Sequence, residues 1–171
     1  MMKLNLVYPP TPQFAPQHAD LCVMAAKEVA GCELDYTDKS LHLLDDIIQG
    51  MRVDGLRIKD VGETLFTFGC YVGEVLVRHC EGEWCKVEEE SIRGLSVFPL
   101  IIKVGSKEVV DPISQVFNRL ETGRKYSLPK FYQALSASSW SWWYLLIVLR
   151  YCMCEVCLMP TEGPSNNSFV M

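Results

Sequence analysis

The sequence predicts a single α+β domain, in which helices pack on one small antiparallel sheet of about three strands. Apolar residues recur at three- and four-residue spacing through the first half of the chain, which is typical of amphipathic helices. Strand-like runs begin after Gly82, and helical spacing returns after Pro112. Because helices and strands fall in separate blocks, an α+β domain is favoured over an alternating α/β fold. A chain of 171 residues has room for one such core.

The first 18 residues form a proline-rich leader, which we expect to be disordered. It contains Pro9, Pro10, Pro12 and Pro16, and such a composition favours an extended polyproline conformation. Pro9 and Pro12 also have the PxxP spacing of an SH3 ligand. No arginine flanks that motif, so a disordered leader is the preferred interpretation.

Two helices are predicted next, each bounded by capping residues. Asp20 can cap the first, and Gly31 ends it. Thr37 or Asp38 can cap the second, which should end at Gly50. Both segments carry their apolar residues on one face, so each should pack one side against the core.

The third helix, from about Arg57 to Cys80, has the strongest pattern in the chain. Its interior includes Gly62, Gly69 and Gly73, which each cost about 1 kcal/mol relative to alanine. We therefore expect another element to approach these glycines closely. The apolar face of this helix is predicted to comprise Ile58, Val61, Leu65, Phe68, Val72, Val75 and His79.

Three strands should follow a turn at Gly82. The first is predicted over Trp84–Glu88 and the second within Leu95–Val104, where Pro99 indicates an edge strand or the start of a strand. A short turn then leads to a third strand, Glu108–Val110.

Two further helices complete the predicted domain, which spans residues 19–136. Asp111 and Pro112 have the residue types of a helix start, and Gly123 should end that helix. Ser127 can cap the last helix, whose apolar face includes Leu128, Phe131, Tyr132 and Leu135.

Residues 137–171 form a hydrophobic, cysteine-rich C-terminal extension. The uncharged run Trp140–Leu149 is short for a membrane span, which needs about 20 residues. Residues 138–159 are long enough but contain Arg150 and Glu155. We therefore expect a cytoplasmic protein, soluble or peripherally bound to a membrane. The alternative is a single-pass protein with a C-terminal anchor that displays its domain to the cytosol.

The eight cysteines do not indicate a disulfide scaffold, because the N-terminal residues lack the apolar core of a secretion signal. Cys22 and Cys70 fall within apolar helical patterns and are interpreted as packing residues. Thiols beside a membrane segment are typical acceptors of S-palmitoylation. Possible lipidation sites are therefore Cys152, Cys154 and Cys157.

Charge and motifs exclude several classes of function. The net charge is −5 and no basic run occurs, so no nucleic-acid partner is expected. Phosphate-binding, dinucleotide-binding and common hydrolase motifs are missing from the sequence, so no cofactor and no catalytic residue are predicted. Cys80, Cys85 and His79 have only loose zinc-like spacing, and no metal site is predicted.

Two stretches of the chain resemble a family of small, uncharacterised α+β proteins, most of them bacterial. One stretch runs from Leu34 through Gly69-Cys70-Tyr71-Val72-Gly73-Glu74 to Trp84. The other runs from Asp111-Pro112 through Arg119-Leu120 to Phe131-Tyr132. The resemblance covers about residues 34–135, implies one soluble domain and brings no activity with it. It implies that the positions to examine are Tyr71, Gly73, Glu74, Arg78 and Trp84.

These motif positions have a structural interpretation. Gly73 permits close packing, Glu74 and Arg78 can form an i, i+4 ion pair, and Trp84 can anchor the sheet to the helix. We therefore expect a non-catalytic interaction or regulatory protein with a protein partner. Beside the membrane-anchored form, the second alternative is a small enzyme that uses Glu74, His79 or Cys80.

Overall fold

The computed structural model of the chain describes residues 4–87, 97–105 and 108–136. Within them, five α-helices pack with one three-stranded antiparallel sheet, which confirms the predicted α+β domain. The helices are α1 (Ala15–Ala30), α2 (Asp38–Val53), α3 (Ile58–His79), α4 (Pro112–Thr122) and α5 (residues 128–136). The strands are β1 (Gly82–Lys86), β2 (Leu100–Val104) and β3 (Glu108–Val110).

Helix α3 forms the centre of the domain. It begins after Arg57 and ends before Cys80, as predicted, and every residue from Phe68 to Leu76 is buried. A helix that is buried on all sides belongs to a core rather than a surface. Helices α1 and α4 both pack along it. His79, which was placed on the apolar face, is instead exposed at the last turn.

Two glycines of α3 allow close approach by other elements, as predicted. A Cβ atom at Gly69 would lie 2.6 Å from the Cα atom of Ile113 in α4. A Cβ atom at Gly73 would overlap the ring of Trp84 in β1. Alanine at either position would therefore push apart elements that now touch through the helix backbone.

The sheet has the order β1-β2-β3, with Trp84 opposite Ile102 and Ile102 opposite Val110. Pro99 directly precedes the central strand, so it marks a strand start and not an edge strand. Its carbonyl accepts a hydrogen bond from the Val87 amide at 3.0 Å. Pro99 thus lies at a position where the β-ladder does not require a backbone N–H donor.

Three predicted boundaries differ from the structure. Strand β1 begins at Gly82, which was predicted as a turn residue, because Gly82 already pairs with Val104 of β2. Helix α2 continues past Gly50 to Val53. The predicted second strand begins at Leu100, and its proposed first residues, 95 and 96, lie outside the described part of the chain.

The prediction of a disordered leader is wrong for residues 4–18. Leu4 and Leu6 pack against the core, and α1 begins at Ala15, five residues before the predicted cap Asp20. Pro16 lies in the first turn of the helix, where a proline has no amide to lose and its fixed φ suits the helix. The prolines therefore shape an ordered segment. The domain begins earlier than residue 19.

Candidate functional site

The structure brings the motif positions together where α3 meets β1. The Trp84 indole donates a hydrogen bond from Nε1 to Oε1 of Glu74 at 2.8 Å. The second carboxylate oxygen of Glu74 lies 3.8 Å from Nε of Arg78, one helical turn away. Only 7% of the Glu74 side chain is exposed, against 45% of the Arg78 side chain. Glu74 thus joins the sheet to the helix while Arg78 reaches the surface.

Tyr36 completes this cluster, although it was not among the positions singled out from sequence. Its ring stacks on Tyr71 with centroids 4.7 Å apart, and the Arg78 guanidinium lies 3.4 Å from the ring centre. Its hydroxyl donates to Asp20 Oδ1 at 2.7 Å. Burial, and then the Asp20 carboxylate, raise the pKa of Tyr36. The residue therefore remains a neutral hydrogen-bond donor at physiological pH.

The buried hydroxyl of Tyr71 fixes the loop between α1 and α2. It accepts a hydrogen bond from the Tyr36 amide at 2.8 Å and lies 2.6 Å from Ser40 Oγ. Because Ser40 Oγ already donates to a carbonyl at 2.6 Å, the Tyr71 hydroxyl is the donor in that contact. These bonds hold Tyr36 in a left-handed backbone conformation, with φ 62°.

The residues of the enzyme alternative do not form a reactive set. Glu74 is occupied by Trp84 and Arg78, and His79 donates from Nε2 to the Tyr36 carbonyl at 2.8 Å. Cys80 is 1% exposed, and burial raises the pKa of its thiol, which disfavours the nucleophilic thiolate. Within residues 4–87, 97–105 and 108–136 no group of three metal-ligating side chains occurs.

A second polar cluster contains a buried ion pair between α4 and α2. The Arg119 side chain is 1% exposed and binds both carboxylate oxygens of Asp45, at 2.9 and 2.8 Å. Its remaining nitrogen donates to Gln49 at 3.0 Å, and the Leu128 amide donates to Asp45 at 2.9 Å. Since these groups satisfy one another, the cluster joins α2, α4 and the start of α5 and leaves no charge for a ligand.

One candidate binding site is an apolar cavity of about 760 Å³. Ligand sites typically have volumes of about 300–1,000 Å³. Three aromatic rings form a contiguous part of its wall, with Phe98 centred 6.2 Å from Phe66 and 4.7 Å from Phe117. Val7 and Val97 are each 73% exposed at its rim. Other lining residues are Leu4, Asn5, Leu6, Tyr8, Pro9, Pro10, Ile58, Pro99, Ser114 and Asn118.

Residues 4–10, here called the N-terminal strap, form one wall of this cavity. The strap also borders a second cavity of about 350 Å³ on its α1 side. His18 Nε2 donates to the carbonyl of Tyr8 in the strap at 3.1 Å, and its ring lies edge-on to Phe66. The buried Nδ1 has no hydrogen-bond partner among the described residues, and burial lowers the pKa of His18.

Comparison with protein-family models, with curated proteins and with solved structures finds no match to this chain. The resemblance to a bacterial α+β family therefore stays a prediction.

No helix in the described part of the chain combines the length and apolarity needed to cross a bilayer. The segment proposed to enter a membrane, residues 138–159, lies outside the described residues. The same holds for the possible lipidation sites Cys152, Cys154 and Cys157.

Proposed function

We propose that the α+β domain is a non-catalytic binding protein, and that the cavity beside the N-terminal strap is its binding site. The observation that carries this proposal is an apolar cavity of about 760 Å³ with three phenylalanine rings in its wall. Enclosing an apolar group there would remove its surface from water, which stabilises a complex by about 25 cal/mol per Å².

The chemistry of the wall supports binding rather than catalysis. Its described residues include no carboxylate, imidazole, thiol or amine that could act as a general acid, a base or a strong nucleophile. The reactive side chains elsewhere, such as Glu74 and His79, are held by structural hydrogen bonds. The predicted protein partner stays part of this proposal, with exposed Val7 and Val97 as its apolar contacts at the rim.

The proposal is tested with N-phenyl-1-naphthylamine, a neutral probe that fluoresces in apolar surroundings. The full chain should bind it saturably at one site. Asn118→Trp places a large ring in the cavity wall and should weaken binding about tenfold. Gln115→Trp, on the same helix but outside the lining, is the matched control. Equal binding by both variants, with unchanged circular dichroism, would exclude the cavity as the site.

The cellular location is a separate proposal, cytoplasmic with a membrane-anchored alternative. Only the sequence supports it, because the uncharged run Trp140–Leu149 is shorter than the roughly 20 residues that a membrane span needs. Alkaline carbonate extraction of the full chain decides between the two. A Leu146→Arg variant should release an anchored protein from the membrane. A charge at the centre of a membrane-spanning helix costs about 2.5–3.5 kcal/mol on insertion. A chain already in the supernatant would favour the cytoplasmic form.

A further inference from the structure

We propose that the cavity selects an uncharged amphiphile, with an apolar body and one neutral hydrogen-bonding group that pairs with the amide of Asn118. An alcohol, a phenol or a carboxamide on an alkyl or aromatic body has this chemistry. This inference rests on the proposed function, because it assigns the ligand class of the same cavity.

The described wall of the cavity lacks charged side chains. No lysine, arginine, histidine, aspartate or glutamate is among its described lining residues. Arg119 follows Asn118 in sequence, yet its guanidinium is buried and each of its nitrogens donates to Asp45 or Gln49. A carboxylate or ammonium group that entered the cavity would therefore lose its hydration without gaining a counter-ion from the described wall.

The side chain of Asn118 offers this cavity hydrogen-bonding groups. Its half-buried amide lines the cavity and has no hydrogen-bond partner among the described residues. A side-chain amide offers both donors and an acceptor, so it can pair with a hydroxyl or another amide in both directions. Nearby Ser114 differs, because its hydroxyl already donates to the Asp111 carboxylate.

The shape of the apolar wall also fits this class of ligand. Phe98 is tilted by 45° against Phe117 and by 60° against Phe66, so the rings present both faces and edges. Such a wall suits an alkyl chain or an aromatic ring, which gains dispersion contacts in either orientation. The cavity volume accommodates a ligand of ordinary small-molecule size.

The test uses three ligands with the same ten-carbon chain to displace N-phenyl-1-naphthylamine from the full chain. We expect 1-decanol to displace the probe at concentrations about tenfold lower than decanoate or decylamine, because only the charged groups lose hydration without a partner. Equal or better displacement by decanoate or decylamine would overturn the inference while leaving the proposed function intact. If the probe itself failed to bind, both the inference and the proposed function would be contradicted.

A charge variant locates the selectivity at Asn118. Asn118→Asp should bring decylamine to about the potency of decanol and weaken decanoate further, since the new carboxylate can pair with an ammonium group. Gln115→Glu adds the same charge to the same helix outside the lining and should leave the order of potencies unchanged. The same shift in both variants would assign the effect to net charge and contradict the proposed role of Asn118.

Discussion

The ring of Trp84 lies directly on the backbone of Gly73, in the interior of the central helix. A Cβ atom at residue 73 would overlap the ring, so only glycine leaves room for the indole. The next residue, Glu74, accepts the indole N–H at 2.8 Å and fixes the orientation of the ring. Two adjacent residues of α3 thus provide both the space and the hydrogen bond that hold β1 against the helix.

Gly73→Ala should lower the free energy of unfolding by about 2–3 kcal/mol, because the added methyl group displaces the Trp84 ring. Gly50→Ala is the matched control. Gly50 is also helical, but a Cβ atom there would have no neighbouring atom within 4 Å, so this variant should gain about 0.5–1 kcal/mol. Urea unfolding followed by circular dichroism gives both values. Similar changes in the free energy of unfolding for the two variants would contradict the packing of Trp84 on Gly73.

Breaking the buried ion pair should be among the most damaging single changes. Arg119→Leu leaves Asp45 without its bidentate partner, and we expect a loss of about 3–5 kcal/mol. Arg124→Leu removes an exposed arginine of the same domain and should change stability by less than about 0.5 kcal/mol. If the two variants unfolded at the same urea midpoint, Arg119 would not be held as the structure shows.

Tyr71→Phe removes one hydroxyl that contacts both the Tyr36 amide and Ser40 Oγ. The loss should be about 1–3 kcal/mol, because two buried polar groups lose a partner. Tyr126→Phe is the comparison, since that hydroxyl has no hydrogen bond to any described residue. Hydrogen exchange at the Tyr36 amide should accelerate only in Tyr71→Phe. Unchanged exchange there would show that the bond does not protect this loop.

Sequence patterns predicted the helices and strands because their signals are local. The limits of α3 follow from the spacing of its apolar residues and its flanking polar positions, and Gly69 and Gly73 marked the close contacts. The leader was misjudged because its prolines suggest disorder, while its order depends on Leu4 and Leu6 meeting a core formed elsewhere in the chain. Composition alone carries no information about that contact.

The candidate site was not predictable for the same reason. Its cavity is formed by the strap, α3, α4 and residues 97–99, which come together only in the folded chain. The Asp45–Arg119 pair joins residues 74 positions apart, and the role of Tyr36 depends on a left-handed loop conformation. Motif positions could be named from sequence, whereas their shared partners required the tertiary structure.

The stability of the domain should fall as the pH decreases below about 6.5, through His18. Burial lowers the pKa of this residue from its usual value of 6.5, while the unfolded chain keeps that usual value. Above pH 6.5 both states are neutral and the full stability is present. As the pH falls toward the folded-state pKa, the unfolded chain binds the proton more readily, so stability is lost.

His18→Gln can still donate to the Tyr8 carbonyl but cannot take up a proton. Its free energy of unfolding should therefore fall less than that of the wild type between about pH 7.5 and pH 5.5, and the exposed control His42→Gln should follow the wild type. An equal loss in His18→Gln would show that the strap is not held by a neutral His18.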